Sequence, residues 1–301
     1  MRINQGCISH IGRRQTQQDA FGFSNFEDAQ FITHGGVMAV VCDGMGGLEK
    51  GDEAANLAVK TILECYMAKT ADQTISDVLD HAVSMANKAV YELGQSTNNL
   101  NNVGTTLVLT VIHKQQLFWR AVGDSHLYLL RKSNLGQLNT DHTYTQELLQ
   151  NLETNKLTQY DAINHPRGSA LVSYLGIEEN LLVDKNDLPI DLKLNDTLLL
   201  CTDGLYNSLS EESINVTLQN VDPMTAVRDL QHQVLDKQYL NQDNLTGVVL
   251  KLQKGCHISE TSFFSLKARA PFVLSLLIAV FGYLIYVNID YLRTVCQRLG
   301  F

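Results

Sequence analysis

Four aspartates in this 301-residue chain stand where an apolar run gives way to a tight turn. Asp43 follows VMAVVC and opens DGMGG, and Asp203 follows LLLC and opens DGL. Asp124 occupies a GDS corner between two apolar runs, and Asp243 precedes LTGVVLKL. Singly, each is compatible with a turn and nothing more, because Asp-Gly is among the commonest turn pairs. Jointly they would bring carboxylates to one rim of a sheet, where like charges repel and raise one another's pKa. Bound cations make such crowding tolerable. An all-oxygen set of aspartates with a nearby backbone carbonyl suits Mg²⁺ or Mn²⁺, whereas zinc favours His and Cys ligands that these turns lack. Two such ions bridged by a carboxylate can hold a hydroxide at neutral pH and steady a phosphoryl group during in-line attack. Gly44, Gly46 and Gly47 would let backbone approach the metal closely. Arg13 and Arg14, just before Asp19, offer a guanidinium for substrate phosphate.

The elements that must carry these residues are legible from periodicity. Apolar, β-branched runs at 37–42, 105–112, 117–122, 126–131, 196–201 and 246–252 read as strands bounded by Gly, Asp or Asn. Residues 52–69 and 74–94 place their apolar side chains at helical spacing. A box-like Ser208 to Glu211 pair before Ile214 predicts another helix start, and Asp222-Pro223 opens a segment over 223–240. Strands in succession, then a helix pair, then strands again imply α+β layers rather than alternating βαβ units.

With 45% hydrophobic residues and four prolines the chain can bury a sizeable core, which excludes a disordered protein. A net charge of −9 argues against nucleic acid as a partner, and an aspartate-cluster nuclease would need a basic groove that this composition does not advertise. The six cysteines are scattered without CxxC or Cys-His spacing, so neither a disulfide scaffold nor a zinc site is expected. Between Arg269 and Asp290 lie 20 uncharged residues, and a helix of that length, rising about 1.5 Å per residue, covers a bilayer's hydrocarbon core. The expected organisation is a catalytic body over 1–253, a linker over 254–269 with an interfacial Phe263-Phe264 pair, a transmembrane helix over 270–289 and a short tail over 290–301. With no apolar stretch of signal length near the N-terminus, the body is expected in the cytoplasm, held to the membrane by a single C-terminal anchor.

Six motifs now fall in order: RxxQQD at 14–19, DGMGG at 43–47, GTT at 104–106, GDS at 123–125, TDG at 202–204 and DN at 243–244. Together they resemble the bacterial branch of the type 2C metal-dependent serine/threonine protein phosphatases. DHTYTQELL at 141–149 and HPRGSALVSYLG at 165–176 resemble that family's flap. The resemblance implies an α+β fold of two antiparallel β-sheets packed as a sandwich flanked by helices, with a binuclear Mn²⁺ or Mg²⁺ site at one end. It implies that Asp43 bridges both ions, that Gly44 contributes its carbonyl, and that Asp203 and Asp243 complete one ion's ligands. Asp124, with Asp203, would hold a third and weaker ion. Asp19 would orient water, and Arg14 would grip phosphate, leaving Arg13 as a solvated charge. The implied reaction is hydrolysis of phosphoserine and phosphothreonine by direct attack of the metal-bridging hydroxide, and the implied partners are phosphoproteins, substrates of a serine/threonine kinase.

The chain departs from the family pattern at three places. The usual Asn-Glu-Asp is Gln17-Gln18-Asp19, so an acid is replaced by a neutral amide. His126 stands in the GDSR position, where a plain strand residue is expected, and Met45 replaces a histidine of eukaryotic members, leaving another metal-held water as the simplest proton donor. His165 is expected to cap its loop. The absence of an HCx₅R motif fits a metal-dependent rather than a thiol phosphatase. A catalytically weak or inactive, membrane-tethered phosphoprotein-binding module stays open: Gln18 favours it, and the full set of aspartates opposes it.

Overall fold

The apolar runs become strands covered on both faces, which is why they read as nearly continuous rather than alternating. In a computed structural model of the chain, residues 2–45, 50–96, 103–155, 157–219 and 222–254 are described. They form two stacked antiparallel sheets. The first has the order β1 (Arg2–His10), β11 (Leu245–Gln253), β10 (Thr197–Cys201), β6 (His126–Arg131) and β7 (Asn134–Gln137). The second runs β2 (Asp19–Phe23), β3 (Val37–Asp43), β4 (Leu107–His113), β5 (Gln116–Val122) and β8 (Asp184–Lys185), with the short β9 (Ile190–Asp191) also on β5.

Successive side chains of a strand point to opposite faces, and here each face meets a different apolar layer. In β3, Val37, Ala39 and Val41 join the core between the sheets, where they share a cluster with Leu198, Leu200, Val248 and Leu250. Met38, Val40 and Cys42 face outward onto α2 (Gly51–Met67) and α3 (Ile75–Ser96), against Ala54, Ala58, Ile62 and Leu79. On the other outer side, Leu199, Cys201 and Val249 pack under α8 (Glu211–Leu218) and α9 (Pro223–Asp236). Each fully buried Leu, Ile or Val in these layers contributes about 1.5–3 kcal/mol. The remaining helices are α1 (Ala29–Gly35), α4 (Tyr144–Gln150), α5 (Leu152–Asn155), α6 (Gln159–Ile163) and the single turn α7 (Asp203–Tyr206).

Antiparallel pairing gathers the expected chemistry at one end. The registers Asp19↔Asp43 and Cys201↔His126, with Cys201↔Gly247, put the ends of β3 and β10 beside the beginnings of β2, β6 and β11. All five expected aspartates lie at or next to those strand termini.

Two expectations need correcting. The cap of α8 is Ser210, whose side chain accepts from the Ser213 N–H at 3.2 Å. Ser208 is buried and gives its hydroxyl to Gln242 instead. The helix opened by Asp222-Pro223 stops at Asp236, before a left-handed Gln238 (φ 51°), and does not reach 240. Periodicity missed β1, β2 and α1, together with the short strands β7 to β9 and the short helices α4 to α7. Along β1 only Gly6 is buried, so the strand carries no apolar alternation to read.

None of the helices among the described residues is long and apolar enough to cross a membrane. The expected linker beyond Lys254, the Phe263-Phe264 pair, the 270–289 segment and the tail lie outside the described residues.

Gly6 is where α9 crosses β1: a Cβ there would come within 2.3 Å of the Pro223 backbone. Gly6→Ala must push α9 off the sheet, and overpacking of this kind costs about 1–3 kcal/mol. Thermal denaturation of the variant should show a lower midpoint; an unchanged midpoint would mean that α9 yields freely.

Candidate active site

Three of the sequence motifs turn out to be one hydrogen-bonded unit. The Asp43 N–H donates to Thr106 Oγ1 at 2.9 Å. The Asp43 carbonyl accepts from the Thr106 N–H at 2.9 Å and from Thr105 Oγ1 at 2.8 Å. Thr106 Oγ1 also meets Ser125 Oγ at 2.7 Å. The GTT segment thus clamps the backbone of Asp43 while tying it to the GDS corner that carries Asp124. On the first sheet, the buried Thr202 accepts from the Thr246 N–H at 3.0 Å and donates to Asp19 Oδ2 at 2.9 Å. That bond joins the two sheets directly beneath the site. Gly44 is held by its N–H donating to the Gln18 carbonyl at 3.0 Å, and a Cβ on it would lie 2.2 Å from the Gly51 carbonyl oxygen.

Above this unit opens a cavity of about 420 Å³, walled by Asp43, Asp124, Asp203 and Asp243, with Gln18, Gly44 and the 169–171 segment of the flap. Desolvation, reinforced by Asp19, Asp203 and Asp124, holds the Asp43 carboxyl well above the usual carboxylate range. Burial, with Asp203 and Asp141 nearby, pushes Asp124 up to about 7. Burial raises Asp203 as well, with Asp243 adding to it. Asp19 is also pushed up to about 7, mainly by burial and against the pull of its threonine hydrogen bonds. Its second oxygen, Oδ1, is buried without a hydrogen-bond partner.

An acidic, oxygen-only donor set with an orphaned carboxylate oxygen behind it fits hard divalent cations. Among the described residues, no three His, Cys, Asp or Glu side chains converge on a single point. The Asp43 and Asp203 carboxyls are close enough to share a hydrogen bond, and Asp124 and Asp243 complete the wall around them. Asp43, Asp203, Asp243 and Asp124 are brought together as expected, and Asp19 lies just behind them. Gly46 and Gly47 lie outside the described residues.

Arg14 reaches the rim, where its Nη2 donates to Asp243 Oδ2 at 2.6 Å and its side chain stays 45% exposed. Arg13 is exposed and gives only its backbone N–H to the Gln242 carbonyl. The loop between β1 and β2 that carries both is organised by Asn244, which sequence reasoning passed over. Asn244 accepts from the Gln18 N–H at 2.8 Å and donates to the Ile11 and Thr16 carbonyls at 2.9 and 3.0 Å. The DN pair is therefore a cavity-wall carboxylate followed by a brace, a signal available only once both strands are placed.

The flap is moored to the same corner. His142, likewise passed over, donates its N–H to the Gly123 carbonyl at 3.0 Å and accepts the Gly123 N–H on Nδ1 at 3.1 Å. Burial lowers its pKa, which keeps the ring neutral and able to accept. His165 caps its loop by accepting from the Arg167 N–H at 3.2 Å. His126 is a buried strand residue, but a well-partnered one: it lies 2.8 Å from Tyr128 Oη, within 3.0 Å of Asp141, and stacked on Tyr206. Burial raises the Cys42 and Cys201 thiols far above neutrality, so neither is a nucleophile.

In the metal-free folded chain, Asp124 titrates near 7, against about 3.9 when unfolded. Between those values the folded state holds the extra proton, so ionised Asp124 destabilises the fold at pH 7.5 and the penalty fades as pH falls toward 5.5. In chelator, Asp124→Asn should therefore raise the melting midpoint at pH 7.5 by more than at pH 5.5. With Mn²⁺ added at pH 7.5 the advantage should shrink or reverse. Equal midpoints for the two proteins at pH 7.5 in chelator would contradict the crowding described here.

Comparison with known proteins places the fold in a known family. The profile of the family described as Protein phosphatase 2C matches residues 8–268. The serine/threonine phosphatase stp of Listeria welshimeri is 34% identical over 260 residues, covering 84% of this chain and 96% of that protein. The structure of the serine/threonine phosphatase PstP/Ppp of Mycobacterium tuberculosis superposes with a TM-score of 0.68 at 26% identity, over 84% of this chain and 99% of that one. The catalytic domain of PstP in complex with two manganese ions gives a TM-score of 0.65 at 25% identity, with the same coverage. The chain belongs to the protein phosphatase 2C family of metal-dependent protein serine/threonine phosphatases.

Proposed function

We propose that the cavity hydrolyses phosphoserine and phosphothreonine in proteins with Mn²⁺ or Mg²⁺ as cofactor, taking water as the direct attacking group so that no phosphorylated side chain forms. The observation that carries this reading is the carboxylate-walled cavity with the orphaned Asp19 oxygen behind it. No serine, cysteine or histidine among the cavity-lining residues stands paired with a base that would make it a covalent nucleophile. Asp43, the Gly44 carbonyl, Asp203 and Asp243 would hold two ions, and Asp124 with Asp203 a third. Bound there, the ions supply positive charge for the phosphoryl oxygens and lower the pKa of water.

The chain's own residues do the rest. Arg14 at the rim presents a planar fork that suits two phosphate oxygens, and its tie to Asp243 holds it facing the entrance. Asp19, held by Thr202, offers a free oxygen and a raised proton affinity, so it can orient an attacking water or take its proton. The flap segment 169–171 covers one side of the cavity and limits bulk water. Gln18 lines the cavity in place of the family's usual acid, while every carboxylate assigned to the ions is present, which favours an active enzyme over an inert binding module.

We also propose that residues 270–289 anchor the chain as one membrane helix with the catalytic body in the cytoplasm. The support is the run of 20 uncharged residues between Arg269 and Asp290. The intact chain should need detergent for extraction from membranes, and its recovery in the soluble fraction without detergent would reject the anchor.

For the reaction, the full chain with Mn²⁺ should turn over a phosphothreonine peptide. Asp203→Asn should lose more than about a hundredfold in kcat, beyond what loss of an outer partner of a metal ligand costs. Arg14→Ala should act mainly by raising KM. Equal turnover in chelator, or an active Asp203→Asn enzyme, would overturn the assignment.

A further inference from the structure

The strands that deliver aspartates to the active site also build something at their far ends. A cleft of about 740 Å³, larger than the catalytic cavity, opens between the end of β6, the start of β10 and the end of β11. Thr197 at its base begins β10 and Asp203 in the active site lies beyond its other end, so the strand's length, roughly 13 Å at about 3.3 Å per residue, stands between them. The two hollows are therefore separate.

Its lining is cationic. Arg131, Lys132, Lys193, Lys251 and Lys254 surround it, and Asp196 is the one acid among its lining residues. The body is otherwise acidic, since residues before 258 carry 30 acids against 19 bases. Asp196 offsets only Arg131 and leaves the lysines, because its carboxylate is already committed. It is 2% exposed and accepts from Arg131 Nη2 at 2.7 Å, Arg131 Nε at 3.1 Å and the Lys193 N–H at 2.7 Å. Among the described residues Lys132, Lys193 and Lys254 form no ion pair.

A second observation, independent of charge, points the same way. Thr197 lines the cleft, is 1% exposed, and its hydroxyl has no hydrogen-bond partner. Leaving a buried hydroxyl unpaired costs about 1–3 kcal/mol. A donor without an acceptor beside several ammonium groups without anions has the chemistry of a phosphate cradle.

We propose that this cleft is a second anion site, separate from catalysis, for a ligand carrying at least two phosphate groups, either a soluble pyrophosphate-type compound or a phosphorylated lipid headgroup. Three unpaired lysines exceed what a monophosphate needs, and the concave shape suits one compact ligand rather than an extended polymer. Lys132 and Lys193 would hold the outer phosphate and Thr197 the inner one.

Calorimetric titration of inorganic pyrophosphate into the full chain, in neutral detergent micelles with chelator, tests this. Chelator removes the cations through which the acidic catalytic cavity could take the same probe. Saturable one-to-one binding is expected, weakened at least about tenfold in the Lys132→Gln/Lys193→Gln double variant, and weakening with added salt as counterion release requires. Both lysines are exposed, so the variant should keep its fold and its Mn²⁺-dependent turnover, and that turnover is the folding control. Thr197→Val should also weaken binding, while Arg14→Gln at the catalytic rim should not. Displacement of pyrophosphate by cardiolipin, whose headgroup carries two phosphates, doped into the micelles would assign the cleft to a headgroup. Retention would assign it to a soluble phosphate. The absence of saturable binding, or equal affinity in the double lysine variant, would overturn the site.

Discussion

Repulsion among carboxylates is the constraint around which this molecule is arranged. Asp43, Asp124, Asp203 and Asp243 surround one cavity with Asp19 behind it, and burial makes the charges of Asp19, Asp43, Asp124 and Asp203 harder to tolerate than they would be at the surface. A chain left to minimise its own free energy would not gather them. The cost is borne by a scaffold that leaves the backbone little choice: Thr105 and Thr106 clamp Asp43 from two sides, and Thr202 pins Asp19 across the sheets. The rigidity of the sandwich is what allows the site to remain unstable by itself and still be one shape, ready for cations that relieve the repulsion.

The helices serve that rigidity more than they serve the chemistry. In β3 one side chain packs between the sheets and the next packs under α2 and α3, so the strand that presents Asp43 is held from both faces. The strand that leads to Asp203 is held in the same way under α8 and α9. Movement of either carboxylate would require disturbing two apolar layers at once, each worth several kcal/mol.

Much of this was readable in the residues, for a physical reason. Strands covered on both faces must be apolar throughout, so β3, β4, β10 and β11 announce themselves, and the turns that follow them need Asp and Gly. The site aspartates could thus be named from local pattern and order alone. What stayed hidden depended on partners far away in sequence. β1 is half-exposed and polar, and becomes a strand only because β11 offers it a ladder. Asn244 looks like a turn residue until the loop at Ile11 and Thr16 is laid against it. His142 mooring the flap to Gly123, and Ser210 displacing Ser208 as a helix cap, are choices made by tertiary contacts rather than by neighbouring residues.

The pairing of β1 with β11 joins Arg2 to Gln253 and His10 to Leu245, the two extremities of the catalytic body, in one ladder. The strand that Asp243 and Asn244 lead into is therefore also the last of the described strands to be synthesised. Until it arrives, β1 has no neighbour in its sheet, the Arg14 loop has no brace, and the cavity lacks one wall. A ribosome must complete nearly the whole body before the cavity has all its walls, so a chain truncated before β11 would not carry a complete site.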